Sequence, residues 1–236
     1  MVRLKWTFLG RVEYRLALEL QYTHAKKVEA GHYPMLFLLE HPPTITLGRH
    51  ADDSNILAPE SEISADGFDV VRVLRGGDVT YHGPGQLVGY PVANISDARC
   101  NVPSWVEKNA RAVIRFLSDC GLRSNWSDVH PGVWIGNSKI AAIGFHLSRG
   151  ISTHGFAVNL DPDLSHFDRI IPCGLRDKKV TSVKEQLGRS PSLLESAKKV
   201  AHNLADELGW ELEPMLEPGL VLGRSKDNVA EVETRV

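Results

Sequence analysis

Cysteine is scarce in this chain of 236 residues, which contains only Cys100, Cys120 and Cys173. Such a small, odd number forms no disulfide framework, and no paired CxxC zinc motif occurs. The histidines at 146, 154 and 166 are spaced too widely for a closed metal-binding motif. The sequence therefore predicts no metal site, and each cysteine must be considered by itself.

Long hydrophobic runs and a strong charge of either sign are also missing. The longest apolar run, MLFLL at 35–39, is much shorter than the about 20 residues that cross a bilayer. The first 20 residues lack the apolar stretch followed by small residues that marks a secretion signal. The formal net charge is −2, without any run of lysine or arginine. We therefore expect a cytoplasmic protein that binds neither nucleic acid nor membrane.

Helical periodicity is clear in three segments of the chain. It predicts helices over 11–30, 103–120 and 191–209, each closed by a glycine. The apolar side of the first helix is predicted to consist of Val12, Leu16 and Leu20. Proline begins the second and third segments, as is usual for a first helical turn.

Short β-like runs are more numerous than these helices. They are PMLFLLEH, PTITLG, 68–75, 86–92, a hairpin over 132–147 that turns at 136–138, and 153–160. Several follow one another without an intervening helix, which favours an α+β fold with a mixed β-sheet flanked by helices. We expect a single domain over 1–216 and a loosely ordered tail over 217–236.

The most unusual segment is RGGDVTYHGPGQ at 75–86. It lacks the Lys-Ser/Thr pair of a P-loop, and it leads into a β-like run, whereas a dinucleotide fingerprint opens a helix. Glycine allows a ligand to approach the backbone closely. The segment is either a cradle of N–H groups for a carbonyl oxygen or a tight turn with a hydrogen-bonded His82. Arg75 could bind a carboxylate, a phosphate or an acidic core residue. The glycines concerned are Gly76, Gly77, Gly83 and Gly85.

Cys173 differs from the other cysteines because it stands in a Pro-Cys-Gly sequence, where a turn would leave its sulfur approachable. A free thiol is mostly protonated at neutral pH, so a nucleophilic cysteine needs a nearby cation. Lys139 follows the turn GNSK and precedes the apolar IAAIG, so it either points into a pocket or lies exposed. Cys100 and Cys120 are expected to be small, partly buried side chains. Candidate partners of Cys173 are His82, Lys139, His146 and His154.

Four segments together resemble the lipoyl(octanoyl) transferases, which move octanoate from acyl carrier protein to lipoyl domains. The resemblance covers about 35–190, in the order and spacing of the family, and implies a fold similar to biotin and lipoate protein ligase catalytic domains. The segments are RGGDVTYHGPGQLVGYPV, GVWIGNSKIAAIGFHL, THGFAVNL, and FDRIIPCGL with VTSV.

The resemblance also implies the roles of particular residues. The nucleophile of its Pro-Cys-Gly motif falls on Cys173, which would form an acyl-thioester. The lysine of its KIAAIG motif falls on Lys139, which would lower the pKa of that thiol. Val79, Ile143 and Phe156 are expected to be walls of an acyl tunnel. The substrate-binding residues fall on Arg75, Gly76, Gly77, Asp78, Val79, Thr80, Tyr81, His82, Ala142, Ile143, Gly144, Gly155, Phe156 and Ala157.

Donor and acceptor follow from the same resemblance. The donor would be octanoyl-acyl carrier protein, whose phosphopantetheine arm carries the acyl group, so no cofactor is expected. The acceptors would be apo lipoyl domains of 2-oxoacid dehydrogenase E2 subunits and the glycine cleavage H protein, and the enzyme would be a monomer. A basic group could steer these acidic partners or be an ordinary solvated face. Its members are Arg169, Arg176, Lys178 and Lys179.

Three other functions remain as alternatives. An ATP-dependent lipoate or biotin ligase would share the fold but would not need Cys173. A Cys-His hydrolase would use Cys173 with His82 and release free acid. An acyl-binding regulator would hold the acyl group without turnover, although a retained Cys173 and Lys139 argue against it.

Overall fold

Two β-sheets form the centre of the computed structural model, which describes residues 1–171 and 178–215. The strands of these described residues are β1 (Arg3–Arg11), β2 (Met35–Glu40), β3 (Thr44–Leu47), β4 (Asp69–Arg72), β5 (Val79–His82), β6 (Gln86–Val92), β7 (Asn125–Ser127), β8 (Gly132–Ile135), β9 (Ser138–Ser148), β10 (Ile151–Asn159), β11 (Lys179–Val180) and β12 (Glu211–Pro214). The helices are α1 (Tyr14–Glu29), α2 (Glu60–Ala65), α3 (Val102–Asp119), α4 (Val183–Leu187) and α5 (Leu193–Leu208).

The larger sheet has the strand order β12-β1-β2-β6-β10-β9-β8-β7, and β11 also pairs with β9. The β1 pairs with β12 and β2 are parallel, and so is the β9–β11 pair. The other neighbours are antiparallel. The smaller sheet has the order β4-β3-β5, with β3 parallel to β4 and antiparallel to β5. The expected α+β fold with a mixed sheet is therefore confirmed.

Helices cover both faces of the larger sheet. On one face α3 and α5 pack together over a core that includes Trp105, Phe116 and Leu204, all fully buried. On the other face α1 covers Val88, Val92 and their neighbours. The smaller sheet has a core of its own, which contains Ile45, Val79 and Tyr81. The glycine-rich segment between β4 and β5 connects this sheet to the larger one, because the N–H of Gly76 donates to the carbonyl oxygen of Phe145 on β9.

The second and third helices begin close to their predicted positions. Asn101 caps α3 and Ser192 caps α5, each in a reciprocal capping box with the residue three positions later. The predicted helix 191–209 ends at Leu208, and Gly209 takes a left-handed conformation with φ 69°. Strand β6 has the predicted bounds, and the predicted hairpin over 132–147 forms β8 and β9.

The prediction for the first helix was wrong in its buried face. The chain first forms β1, which the sequence reading missed, and α1 begins only at Tyr14. Val12 therefore lies outside the helix, and Leu16 is 37% exposed. The buried residues of α1 are Tyr14, Ala17, Gln21, His24 and Val28. Apolar periodicity misplaced this face because two of its members are polar side chains with specific partners.

Candidate active site

The cavity of functional interest lies where the glycine-rich segment crosses the larger sheet. The backbone N–H of Gly76 donates to the carbonyl oxygen of Phe145 at 2.8 Å, so this segment passes directly over β9. A Cβ atom at position 144 would lie 2.8 Å from the carbonyl oxygen of Gly76, closer than a side chain tolerates. Gly144 thus permits the crossing, beside which lies a cavity of about 470 Å³.

Most of the predicted site residues meet around this cavity. Lys139 lines it, and so does every predicted substrate-binding residue except Tyr81. The three stretches come from different elements: the segment leading into β5, the middle of β9, and the facing part of β10. The lining residues from the prediction are Arg75, Gly76, Gly77, Asp78, Val79, Thr80, His82, Ala142, Ile143, Gly144, Gly155, Phe156 and Ala157.

The side chain of Tyr81 faces away from this cavity, on the strand face opposite to Thr80 and His82, because side chains alternate along β5. Val79 lies on the same face as Tyr81 and packs with it in the core of the smaller sheet. Its hydroxyl pairs with Nδ1 of His166 at 2.8 Å, beside a second cavity of about 640 Å³. Burial raises the pKa of Tyr81 well above its ordinary value, with the Asp163 carboxylate adding to the shift. Tyr81 therefore belongs to the core of the smaller sheet, next to Phe68 and Phe167.

Lys139 is buried at the start of β9, with only 7% of its surface exposed. Its Nζ donates to the carbonyl oxygen of Pro131 at 3.2 Å and lies 5.1 Å from the ring centre of Trp134. Both contacts stabilise the ammonium in a poorly hydrated position. The alternative of an exposed turn lysine is excluded, and the residue lies in the cavity wall.

Cys173 lies outside the described residues, together with Pro172, Gly174 and Arg176. The described chain on its amino-terminal side ends at Ile171, whose N–H donates to the carbonyl oxygen of Asn55 at 2.8 Å. On the other side, Val180 is paired with Lys139, and the N–H of Thr181 donates to the Lys139 carbonyl oxygen at 3.0 Å. Residues 179–181 are thus anchored beside Lys139.

Arg75 is a buried cation in the cavity wall, 8% exposed. Its Nε and one terminal nitrogen donate to the hydroxyl of Thr46, at 3.2 and 2.8 Å. That terminal nitrogen also donates to the Thr46 carbonyl oxygen at 2.7 Å, and the other donates to the Gly76 carbonyl oxygen at 3.2 Å. Thr46 on β3 therefore ties the guanidinium to the smaller sheet.

His82 is the last residue of β5 and is 6% exposed in the same cavity. Its Nδ1 lies 2.8 Å from Oε1 of Gln86. Burial lowers the pKa of His82 well below 6.5, and the nearby His41, Arg75 and His154 lower it further, against the Gln86 hydrogen bond. The ring is therefore a neutral imidazole at physiological pH.

A buried group of aromatic side chains lies next to His82. Tyr14 stacks on its ring at 5.7 Å between centres, and His41 lies 5.8 Å away. His41 donates from Nδ1 to the Val12 carbonyl oxygen at 2.6 Å, so its Nε2 accepts from the Tyr90 hydroxyl at 2.7 Å. Burial lowers the pKa of His41 to about 4 and raises that of Tyr14 to about 12. These groups are uncharged at neutral pH.

His154 adopts an unusual backbone conformation in β10, with φ 59°. It is 1% exposed, and its N–H donates to Oε1 of Gln21 on α1 at 2.7 Å. Neither ring nitrogen has a hydrogen-bond partner among the described residues. Burial lowers the pKa of His154 to about 3, and the charge of Arg75 adds to this effect. As a candidate cation for Cys173, this ring is unsuitable at neutral pH.

The predicted cradle of glycine N–H groups is only partly available. The N–H of Gly76 is used by the Phe145 carbonyl oxygen, and the N–H of Gly85 donates to the Glu40 carboxylate at 2.9 Å. The predicted loop is also interrupted, because Val79–His82 forms β5 between the two glycine pairs. The N–H groups of Gly76 and Gly85 are therefore used within the fold, and of the four glycines only Gly76 and Gly77 line the cavity.

Several cavity residues were missed by the sequence reading. Val88 and Tyr90 are two residues apart in β6 and therefore lie on the same face of the strand, a pattern already visible in QLVGYPV. Tyr14 was missed because the first helix was given the wrong face. Trp126 and His130 come from the region around β7 and β8, and no local signal marked them.

The predicted basic group is partly neutralised by neighbouring side chains. Arg169 forms an ion pair with Asp66 at 2.5 Å, and its guanidinium lies 4.6 Å from the ring centre of Phe68. Lys178 donates to the side-chain oxygen of Asn137, whereas Lys179 is exposed.

Among the described residues, no group of three or more His, Cys, Asp or Glu side chains is arranged to hold a metal ion. The helices in this part of the chain include none that is long and apolar enough to cross a membrane.

Solved structures define the class of fold around this cavity. Lipoate-protein ligase A bound with ATP superposes with a TM-score of 0.74 at 18% identity, over 94% of this chain and 92% of that one. Biotin protein ligase from Aquifex aeolicus, in complex with biotin and ATP, superposes with a TM-score of 0.54 at 16% identity, over 87% and 70%. The fold is thus that of the lipoate and biotin protein ligase catalytic domains.

Sequence comparison identifies the family within this class. The model of the lipoyl protein ligase A/B catalytic domain matches residues 13–205. An octanoyltransferase of Alkaliphilus metalliredigens is 47% identical over 182 residues, which are 76% of this chain and 84% of that one. An octanoyltransferase of Chloroflexus aurantiacus is 43% identical over 214 residues, 89% and 95% of the two chains. The chain belongs to the lipoyl protein ligase A/B family and is an acyltransferase.

Proposed function

We propose that this enzyme transfers an octanoyl group from octanoyl-acyl carrier protein to a lysine of apo lipoyl domains. The acceptors are the lipoyl domains of 2-oxoacid dehydrogenase E2 subunits and the glycine cleavage H protein. One observation carries the proposal: a buried lysine lines a largely apolar cavity in a chain whose relatives are octanoyltransferases over most of its length.

The cavity wall is suited to an unbranched acyl chain. Ile143, Phe145 and Phe156 line it with apolar side chains, whereas the side chain of Val79, which was expected in this wall, is fully buried in the core of the smaller sheet. Each methylene group that leaves water contributes about 0.8 kcal/mol, so a cavity of limited depth can favour one chain length. Discrimination per carbon is only several-fold, and we expect neighbouring chain lengths to be slower substrates.

The reaction proceeds in two steps through a thioester of Cys173. The Cys173 thiolate attacks the octanoyl carbonyl carbon, the C–S bond to the phosphopantetheine sulfur breaks, and the carrier leaves as its thiol after taking up a proton. In the second step the acceptor lysine forms a C–N bond to the same carbon, and Cys173 leaves. Because a thioester is more reactive than the amide formed, this route requires neither ATP nor a cofactor.

Lys139 supplies the positive charge that this thiol requires. Its ammonium is held in the cavity wall by Pro131 and Trp134, and β11, which is close to Cys173 in the sequence, is paired with the same strand. A cation beside a thiol stabilises the thiolate and increases its fraction at neutral pH. The free Cys100 and Cys120 support a reducing compartment, and we propose that the enzyme acts in the cytoplasm as a monomer.

Intact mass spectrometry tests the covalent route. The enzyme mixed with octanoyl-acyl carrier protein, without acceptor or ATP, should gain one octanoyl group. Cys173→Ala should gain none and should lose transfer, whereas Cys100→Ala and Cys120→Ala should retain both. An unmodified wild-type enzyme under single-turnover conditions would exclude the acyl-enzyme.

The role of Lys139 is tested by the alkylation rate of Cys173. Lys139→Ala should slow reaction with iodoacetamide near pH 7 and shift the pH profile of that reaction upward, because the thiolate loses its cation. Lys179→Ala is the matched control, since its side chain is exposed on the adjacent strand β11. Identical pH profiles for Lys139→Ala and the wild type would remove Lys139 from the mechanism.

Substrate requirements separate the alternative functions. An ATP-dependent ligase would modify a lipoyl domain from free octanoate and ATP, a reaction in which we expect no product. A hydrolase would release octanoic acid in the absence of acceptor faster than the acyl-enzyme forms amide in its presence. Quantifying both products by mass spectrometry distinguishes these reactions from transfer.

A further inference from the structure

The hydrogen bonds behind His82 have directions that the structure determines. The carbonyl oxygens of Tyr81 and Thr181 can only accept. Nδ2 of Asn159 donates to the Thr181 oxygen at 3.0 Å, which leaves Oδ1 of Asn159 as an acceptor. Nε2 of Gln86 donates to that Oδ1 at 2.9 Å and to the Tyr81 oxygen at 3.2 Å. Oε1 of Gln86 is therefore the acceptor that faces His82.

The same logic determines the protonated nitrogen of the imidazole. Nδ1 of His82 lies 2.8 Å from Oε1 of Gln86, so it must carry the hydrogen. Nε2 then carries the lone pair. Gln86 and Asn159 are 2% and 4% exposed, so water competes poorly for either amide. The charged and titratable groups that face His82 are Tyr14, His41, Arg75 and His154, and none of them reverses this direction.

This relay ends beside Lys139. The carbonyl oxygen of Thr181 receives Asn159, while the N–H of the same residue donates to the Lys139 carbonyl oxygen at 3.0 Å. His82 and Lys139 both line the cavity. The two buried amides therefore connect the imidazole with the strand that holds the ammonium.

We propose that Gln86 and Asn159 are positioning residues that hold His82 as the Nδ1–H tautomer, so that its Nε2 accepts a hydrogen bond from the amine of the incoming acceptor lysine. The assignment rests on the proposed function and concerns its second step. As the C–N bond forms and the C–S bond to Cys173 breaks, Nε2 orients the amine by accepting a hydrogen bond from it, and the departing sulfur takes up the proton that the nitrogen loses. A neutral amide and a free thiol result, so no further reactant is needed.

The tautomer can be measured without turnover. In full-length enzyme labelled with ¹⁵N-histidine, long-range ¹H–¹⁵N correlation at pH 7.5 should show a protonated Nδ1 and an unprotonated Nε2 for His82. The resonances are assigned by their loss in His82→Gln. An Nε2–H tautomer in the wild type would overturn the proposal, whether or not the enzyme transfers octanoate.

Measuring the two half-reactions separately then tests whether this tautomer of His82 assists transfer to the acceptor lysine. In Gln86→Leu the acceptor for Nδ1–H is lost, and transfer from isolated octanoyl-enzyme to a lipoyl domain should slow at least about tenfold. Formation of the octanoyl-enzyme should change by less than about threefold. Gln86→Glu keeps an acceptor oxygen and should restore much of the second step. Gln186→Leu is the control, because Gln186 is exposed and donates to the Thr181 hydroxyl outside the relay.

The outcomes separate the proposal from its premise. If Gln86→Leu slows both half-reactions equally and Gln86→Glu restores neither, the relay is only structural and the proposal fails. An unchanged second half-reaction in Gln86→Leu also overturns it. If wild-type enzyme forms no octanoyl-enzyme at all, the proposed function fails, while the tautomer measurement still reports on His82.

Discussion

At the residue scale, Arg75 shows how a cation is held inside a cavity wall. The sequence left open whether its guanidinium binds an anion or a core residue. The structure places three of its hydrogen bonds on Thr46, two on the hydroxyl and one on the carbonyl oxygen. Arg75 also lowers the pKa of His154, where it adds to the larger effect of burial. The position of Arg75 thus helps to keep the imidazole of His154 in the cavity wall unprotonated.

Removing the Thr46 hydroxyl should weaken this arrangement. Thr46→Val keeps the side-chain shape but deletes an acceptor for a charged donor, so we expect a loss of about 2 kcal/mol in the free energy of unfolding. Thr44→Val on the same strand deletes a hydroxyl that donates to the neutral Pro42 carbonyl, with an expected loss of about 1 kcal/mol. Urea denaturation measures both, and equal losses would contradict a special role for Thr46.

At the element scale, the cavity depends on one segment crossing another. The glycine-rich segment lies on β9 because position 144 has no side chain, and the crossing brings residues 75–82 to β9 and β10. The sequence marked these stretches as unusual through their glycines. It could not show that Gly144 makes room for Gly76, since the two are far apart in the chain and meet only in the folded sheet.

A matched pair of alanine substitutions tests the crossing. Gly144→Ala would place a methyl group 2.8 Å from the Gly76 carbonyl oxygen, and we expect a loss of about 1–3 kcal/mol in the free energy of unfolding. In Gly76→Ala the nearest atom is the Phe145 oxygen at 3.5 Å, so the change should stay within about 1 kcal/mol. Thermal unfolding compares the two, and a fully stable Gly144→Ala would refute the close approach.

At the scale of the whole molecule, buried neutral histidines make folding depend on pH. The pKa values of His41 and His154 are lowered by burial from 6.5 to about 4 and about 3. Between pH 6.5 and these values the unfolded chain binds protons that the folded chain does not. The free energy of unfolding should therefore be highest above pH 6.5 and fall as the pH falls toward 4.

His41 should account for a measurable part of this dependence. Its lowered pKa corresponds to roughly 2 kcal/mol between pH 7.5 and pH 5. In His41→Gln the difference in the free energy of unfolding between these pH values should shrink by about that amount. His202→Gln, on the exposed side of α5, is the control. Chemical denaturation at both pH values gives the result, and an undiminished difference in His41→Gln would contradict it.

Local sequence information was sufficient for most elements and for the family. Helices α3 and α5, strand β6 and the β8–β9 hairpin follow from periodicity and turn residues within each segment. The motifs around Lys139 and Cys173 identified an acyltransferase because family motifs are themselves local patterns. Such signals depend only on neighbouring residues, so they are readable before the chain is folded.

Only the tertiary structure decided which side chains and backbone groups of these elements contact one another. It buried Gln21 and His24 on α1, used the N–H groups of Gly76 and Gly85 within the fold, and turned Tyr81 away from the cavity. Each of these outcomes depends on contacts between distant segments. Their energies come from packing and from the pairing of buried polar groups, which no single stretch of sequence contains.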